Sequence, residues 1–143
     1  TSFPFVDSHN KTYSVRDGSD WEQTLKPRLH ERLNASANVV LFLSSETKYS
    51  RALREEIDYA INTNGLPIIV VYPEIKDKVG VHTSVGFTTK VKNLWNTLPV
   101  FRDNKYKVPV LHVPNDKKLI RSALGDTDFR VATKTKATDY FYK

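Results

Sequence analysis

Three stretches of the chain are apolar at nearly every position: Val39 to Leu43, Leu66 to Tyr72 and Val108 to Val113. A strand with one face in water alternates polar and apolar residues. A run without alternation belongs to a strand covered on both faces, the situation of a parallel sheet between helical layers. A shorter run, Phe3 to Val6, predicts a fourth strand near the sheet edge, where Pro4 is tolerated.

Helical patterns separate these runs. Leu25, Leu29 and Leu33 recur every four residues and predict a helix from Thr24 to Asn34, with Pro27 in its first turn. Ser50 is placed to cap a second helix with the stripe Leu53, Ile57, Ala60 and Ile61, and Asn64-Gly65 supplies left-handed residues to end it. From Pro73 to Lys107 the pattern weakens to one short helix around Val91, Leu94, Trp95 and Leu98 inside a long connection. Asp116 opens a last helix through Leu119, Ile120, Ala123 and Leu124, closed at Gly125. The residues from 125 to 143 form a C-terminal extension, and Tyr140-Phe141-Tyr142 predict that it packs back onto the body.

Strand and helix alternating in this way, with right-handed crossovers, give an α/β fold of three layers: a central parallel sheet of flavodoxin-like type flanked by helices. A length of 143 residues suits one domain spanning 1–143. Ligands of such folds gather where loops leave the carboxyl ends of the strands. Here those loops are Asp7-Ser8-His9-Asn10, Ser44-Ser45-Glu46-Thr47, Pro73-Glu74 and Pro114-Asn115.

Composition removes several chemistries. The chain has no cysteine, so thiolate nucleophiles, cysteine zinc sites and disulfides are excluded, which suits a cytoplasmic protein. His9, His30, His82 and His112 lack metal-binding spacing, so no metal site is expected. No apolar run approaches the roughly 20 residues of a membrane helix. The chain has no methionine and opens at Thr1 without a signal-peptide pattern, and a preceding segment is expected. Of the net charge of +6, the first 72 residues hold 8 Lys and Arg against 9 Asp and Glu, whereas the remainder hold 14 against 7. Those lysines are dispersed in pairs without interleaved aromatics or arginine clusters, which reads as a solvated basic face rather than a nucleic-acid surface, with a polyanion-binding surface, nucleotide phosphates included, as the alternative.

Five glycines, at 18, 65, 80, 86 and 125, form neither a GxGxxG turn nor a P-loop. The central strand ends in Ser44 and Ser45 where a receiver domain needs aspartate, and there is no GxSxG elbow. What remains is a carboxylate on the helix that follows. At about 100° per residue, Glu56 lies at the flank of the apolar stripe while Glu55 points to solvent. Glu56 can therefore look along the carboxyl edge of the sheet as a poorly hydrated anion. Periodicity also admits a rim glutamate paired with Arg51, Arg54 or a lysine.

The runs Val39 to Ser50, Leu53 to Ile61 and Leu66 to Pro73 resemble the central strand, catalytic helix and following strand of TIR-like domains. They are most similar to the bacterial branch that serves as the NAD-processing sensor of Thoeris-type anti-phage defence. The resemblance runs from about Phe3 to Leu124 and is densest over Val39–Pro73. The family often has tryptophan four positions before its catalytic glutamate, and here that position is Ala52. Phe3–Val6 corresponds to the family's second strand, so the first strand and helix are expected to be missing.

That resemblance implies an enzyme that cleaves the nicotinamide–ribose bond of NAD into an ADP-ribose-type signal, with Glu56 as the catalytic residue. NAD is then the substrate and no cofactor is implied. The loop bearing Asp7, Ser8 and His9 would wall the ribose and nicotinamide, although short polar residues there also suit a turn. Ser45 and Thr47 would hydrogen-bond hydroxyls or phosphate. A homo-oligomer and a downstream effector that reads the product are the implied partners. Two other readings stay open: a catalytically silent TIR-like interaction module, and a nucleoside deoxyribosyltransferase-like enzyme.

Overall fold

The computed structural model describes residues 21–46 and 49–143. Among the described residues its centre is a parallel sheet of four strands, β1 (Val39–Phe42), β2 (Ile68–Tyr72), β5 (Val110–Pro114) and β6 (Asp139–Phe141), in the order β1-β2-β5-β6. Every residue of β2 and β5 is buried, as expected of strands covered on both faces. The predicted strand ends are trimmed: Leu43, Leu66 and Val108 stay buried but lie outside the ladders. The expected strand Phe3–Val6 lies outside the described residues.

Five helices among the described residues concern the core: α1 (Lys26–Asn34), α2 (Arg51–Asn62), α4 (Thr89–Asn96), α5 (Pro99–Asn104) and α6 (Lys117–Gly125), with a four-residue α3 (Lys78–Val81) between β2 and α4. Side chains alternate across a strand, so each face of the sheet collects its own set. Ile68, Val70, Tyr72 and Val110 join one cluster with Leu29 and Leu33 of α1, Leu53, Ile57 and Ala60 of α2, Val91 of α4 and Phe101 of α5. Ile69, Val71, Leu111 and Val113 join another with Ile120 and Ala123 of α6 and Phe129. The result is the predicted helix–sheet–helix layering.

The expected helix start at Thr24 is resolved more finely. A π-turn, Trp21–Leu25, leads into α1, and Pro27 stands in the first turn, where its missing N–H breaks no helical bond. Trp21, which no periodicity singled out, is one of the largest fully buried side chains. At the end of α2 the left-handed position is Gly65 alone, with φ of 61°, and Leu66 N–H then reaches Ala60 O across 2.8 Å.

The connection Pro73–Lys107 is far more structured than one short helix. It holds α3, a two-residue hairpin of β3 (His82–Thr83) and β4 (Gly86–Phe87), α4, α5 and a 3-10 turn, Lys105–Lys107. Beyond α6, the chain passes through short 3-10 turns and returns as β6, whose Tyr140 pairs with Leu111 in the ladder.

Candidate functional site

The site is built on α2 and the two loops beside it. Ser50 stands in extended conformation and its Oγ accepts the N–H of Leu53 at 3.0 Å, so α2 begins at a fixed residue. From that start Ala52, Leu53, Ile57, Ala60 and Ile61 fall on the buried face, and Glu56, in the second turn, is only 4% exposed. A carboxylate is seldom buried to that degree without a reason, because desolvating its charge costs several kcal/mol unless partners compensate.

Glu55 does not point to open solvent as its phase predicts. Its Oε2 lies 2.6 Å from His30 Nε2, and the His30 ring stacks on Tyr59 with centroids 3.7 Å apart. The neighbouring α1 reaches over that face of α2, a tertiary contact no helical wheel contains. The two adjacent glutamates thus separate cleanly: one is tied to α1, the other buried at the flank of the apolar stripe.

Ser45, at the carboxyl end of β1, is gripped by Glu74 from the exit of β2. Its N–H donates to Glu74 Oε1 at 2.7 Å and its hydroxyl to Oε2 at 2.5 Å. Those two bonds, the hydroxyl first, hold the fully exposed Glu74 carboxyl below the ordinary glutamate range, with Lys90 adding its charge. Sequence reasoning marked Pro73-Glu74 as an edge loop but gave Glu74 no role; its place one residue past a strand-end proline was the available signal.

Behind Ser45 the loop is pinned by Tyr49. The tyrosine hydroxyl donates to Ser44 O at 3.1 Å and accepts from Thr97 Oγ1 at 3.2 Å, while Arg54 Nη1 donates to Tyr49 O at 2.8 Å. Burial raises the Tyr49 hydroxyl above its ordinary pKa, which keeps it protonated and able to donate. Asp7, Ser8, His9 and Thr47 lie outside the described residues.

A second titratable cluster sits below the sheet edge. Trp95 Nε1 donates to Tyr72 Oη at 2.8 Å, Tyr72 Oη lies 2.6 Å from His112 Nδ1, and His112 Nε2 lies 2.8 Å from Asp139 Oδ1. Lys105 Nζ meets the other Asp139 oxygen at 2.7 Å. Tyr72 and His112 are both 0% exposed, so no substrate reaches either of them, and only Asp139 at the end of the series is partly exposed. Burial lowers the His112 pKa and raises that of Tyr72, leaving both neutral. The cluster is structural. Among the described residues no group of His, Asp and Glu is assembled to hold a metal ion, and no helix is long and apolar enough to cross a membrane.

Residues 1–78, which include β1, Ser45, all of α2 with Glu56, β2 and Glu74, match the family described as Thoeris protein ThsB, TIR-like domain. The match spans more than half of the 143 residues. The chain belongs to this family. As a Thoeris TIR-like domain it takes a TIR-domain role in anti-phage defence. Glu56, Ser45 and Glu74 all fall inside the matched span, whereas the hairpin, α4, α5, β5, α6 and β6 follow it.

Proposed function

We propose that this Thoeris TIR-like domain breaks the nicotinamide–ribose bond of NAD, with Glu56 as the catalytic carboxylate. The observation that supports it is the near-complete burial of Glu56 in the second turn of α2, inside the family match. As the glycosidic bond breaks, its electron pair leaves with nicotinamide and positive charge develops on the ribose. A carboxylate beside that ribose stabilises charge that exists mainly in the transition state, and its effect is larger where water is excluded. Water, or a hydroxyl of the same ADP-ribose, then adds to the sugar and loses a proton, giving a linear or cyclic product.

In this reading Asp7, Ser8 and His9 wall the ribose and nicotinamide, and Ser45 and Thr47 take hydroxyl or phosphate oxygens. NAD serves as substrate, with no further cofactor. The enzyme acts as a homo-oligomer, and its ADP-ribose-type product is read by a separate effector.

The test follows nicotinamide release from NAD by wild type, Glu56→Gln and Glu55→Gln. Loss in Glu56→Gln with activity kept in Glu55→Gln is expected. Activity that survives Glu56→Gln would refute the assignment. A wild type that releases no nicotinamide in any oligomeric state would favour an interaction module.

A further inference from the structure

The grip of Glu74 on Ser45 is unusual in its form. A backbone N–H and a hydroxyl of one residue converge on the two oxygens of one carboxylate, at 2.7 and 2.5 Å. Two convergent donors that seat two oxygens of an anion seat a phosphoryl group equally well. The carboxylate that fills them is exposed and belongs to a different loop, and the two bonds to Ser45 are what orient it.

We propose that the Ser45 N–H and hydroxyl form a phosphoryl-receiving site and that Glu74 is its internal competitor, displaced when a diphosphate-bearing ligand binds. The displaced carboxylate has somewhere to go. A cleft of about 290 Å³ beside it is lined by Glu74, Ile75, Lys76, Asp77, Gly80 and Lys90, and the Lys90 charge already acts on Glu74. Swinging toward Lys76 and Lys90, Glu74 recovers through an ion pair part of what the two hydrogen bonds gave, and water meets the rest at this exposed position. The owner of the phosphate is taken from the proposed reading, in which it is the diphosphate of NAD; the site itself requires only phosphoryl oxygens. A guard of this kind sets a threshold: free phosphate meets a filled site, whereas a ligand anchored elsewhere in the cleft displaces the carboxylate.

Titration of the full chain with inorganic pyrophosphate and, separately, with ADP-ribose tests this, using wild type, Glu74→Gln, Glu74→Ala and the double variant Glu74→Ala/Ser45→Ala. Removing the competitor tightens pyrophosphate binding by about fivefold in Glu74→Ala, the scale of one exposed charge interaction, with Glu74→Gln between. The double variant loses most of that gain. ADP-ribose binds tighter than pyrophosphate in wild type, and the margin narrows in Glu74→Ala. Equal or weaker pyrophosphate binding by Glu74→Ala, or no pyrophosphate binding by any variant, overturns the proposal and leaves Glu74 as a staple between loops. Nicotinamide release from wild type is scored independently. If the Glu74 effect is found without NAD cleavage, the phosphoryl site stands and the NAD reading falls; if cleavage is found without the Glu74 effect, the NAD reading stands and the phosphoryl site falls.

Discussion

Asp139, on the last strand of the sheet, accepts a hydrogen bond from Nε2 of the fully buried His112 across 2.8 Å. The contact spans 27 residues of chain and fixes the direction of every proton around it. With Nε2 donating to a carboxylate, Nδ1 must accept, so the Tyr72 hydroxyl donates to it and its oxygen takes the Trp95 N–H. The series ends on Lys105, whose ammonium closes the charge on Asp139 and also lies 4.3 Å from the Trp95 ring centroid. One carboxylate thus ties β6 to β5, and through Lys105 to the turn that follows α5.

Replacing Asp139 by alanine leaves a buried imidazole N–H and an inward ammonium without their acceptor. The cost expected is about 2–3 kcal/mol in urea unfolding. Hydrogen exchange should rise first in the ladder between β6 and β5, since Lys105 and His112 hold that strand by its side chain. Asp139→Asn keeps one acceptor oxygen and should recover part of the loss. An Asp139→Ala domain as stable as wild type would mean that the network contributes nothing net.

Acid should weaken the fold in two steps of the same sign. Burial lowers the folded-state pKa of His112, so below the ordinary histidine value near 6.5 the unfolded chain binds a proton that the folded chain refuses. Stability is therefore full above that range and falls as pH drops below it. For Asp139 burial pulls upward, but the hydrogen bonds and charges of His112 and Lys105 outweigh it and the net pKa is lowered. Its contribution is present above the ordinary aspartate range and disappears as pH falls through the folded-state value. Unfolding free energy measured from about pH 7.5 to about pH 2 should decline, and His112→Phe should flatten the part just below the ordinary histidine value while leaving the part below the ordinary aspartate range. Superimposable profiles would show that His112 is not the group responsible.

Gly80 carries a constraint that its glycine identity alone does not reveal. A Cβ there would lie 2.5 Å from Cγ2 of Ile75, a buried, β-branched side chain with little freedom to turn away. Ile75 is tied at both ends of its backbone, its N–H donating to Tyr72 O and its carbonyl accepting from Asn115 N–H. Gly80→Ala should therefore cost about 1–3 kcal/mol by overpacking, although alanine is the better helix former. Ile75→Val/Gly80→Ala would not relieve it, because valine keeps two branches on Cβ, whereas Ile75→Ala/Gly80→Ala should restore part of the loss relative to Ile75→Ala alone.

The continuous runs made the sheet legible because burial on both faces leaves its mark residue by residue in β2 and β5, whereas in β1, at the end of the described strand order, Val40 and Phe42 are only partly buried although the run reads as continuous. The cap at Ser50 and the stripe of α2 were legible for the same local reason, and they placed Glu56 against the core. What escaped depends on partners distant in sequence. Glu55 faces His30 across 25 residues, Ser45 meets Glu74 across 29, and His112 meets Asp139 across 27. The connection Pro73–Lys107 escaped because its elements are short: α3, β3 and β4 have two to four residues, too few for any period to show. His82 and Phe87 there serve an aromatic group with Phe141 and Trp95, assembled only once β6 is in place.

Glu55 and Glu56 should part in their effects on stability as well as on activity. Glu55 pairs with His30 where both side chains are roughly a quarter exposed, so screening limits the pair, and Glu55→Gln should cost under about 1 kcal/mol. Glu56 is different, since its carboxyl is held at 4% exposure, and an acidic group kept there for catalysis is a burden on folding that an uncharged isostere lessens. Sites that stabilise a transition state commonly keep such a burden, and removing it trades activity for stability. Glu56→Gln should therefore be at least as stable as wild type in thermal unfolding while losing NAD cleavage. Were Glu56 instead a structural group whose charge is fully compensated by its surroundings, Glu56→Gln would lower the melting temperature by several degrees, as loss of about 1–2 kcal/mol does in a domain of this size. Measured together, melting temperature and nicotinamide release tell a buried catalytic carboxylate from a buried structural one.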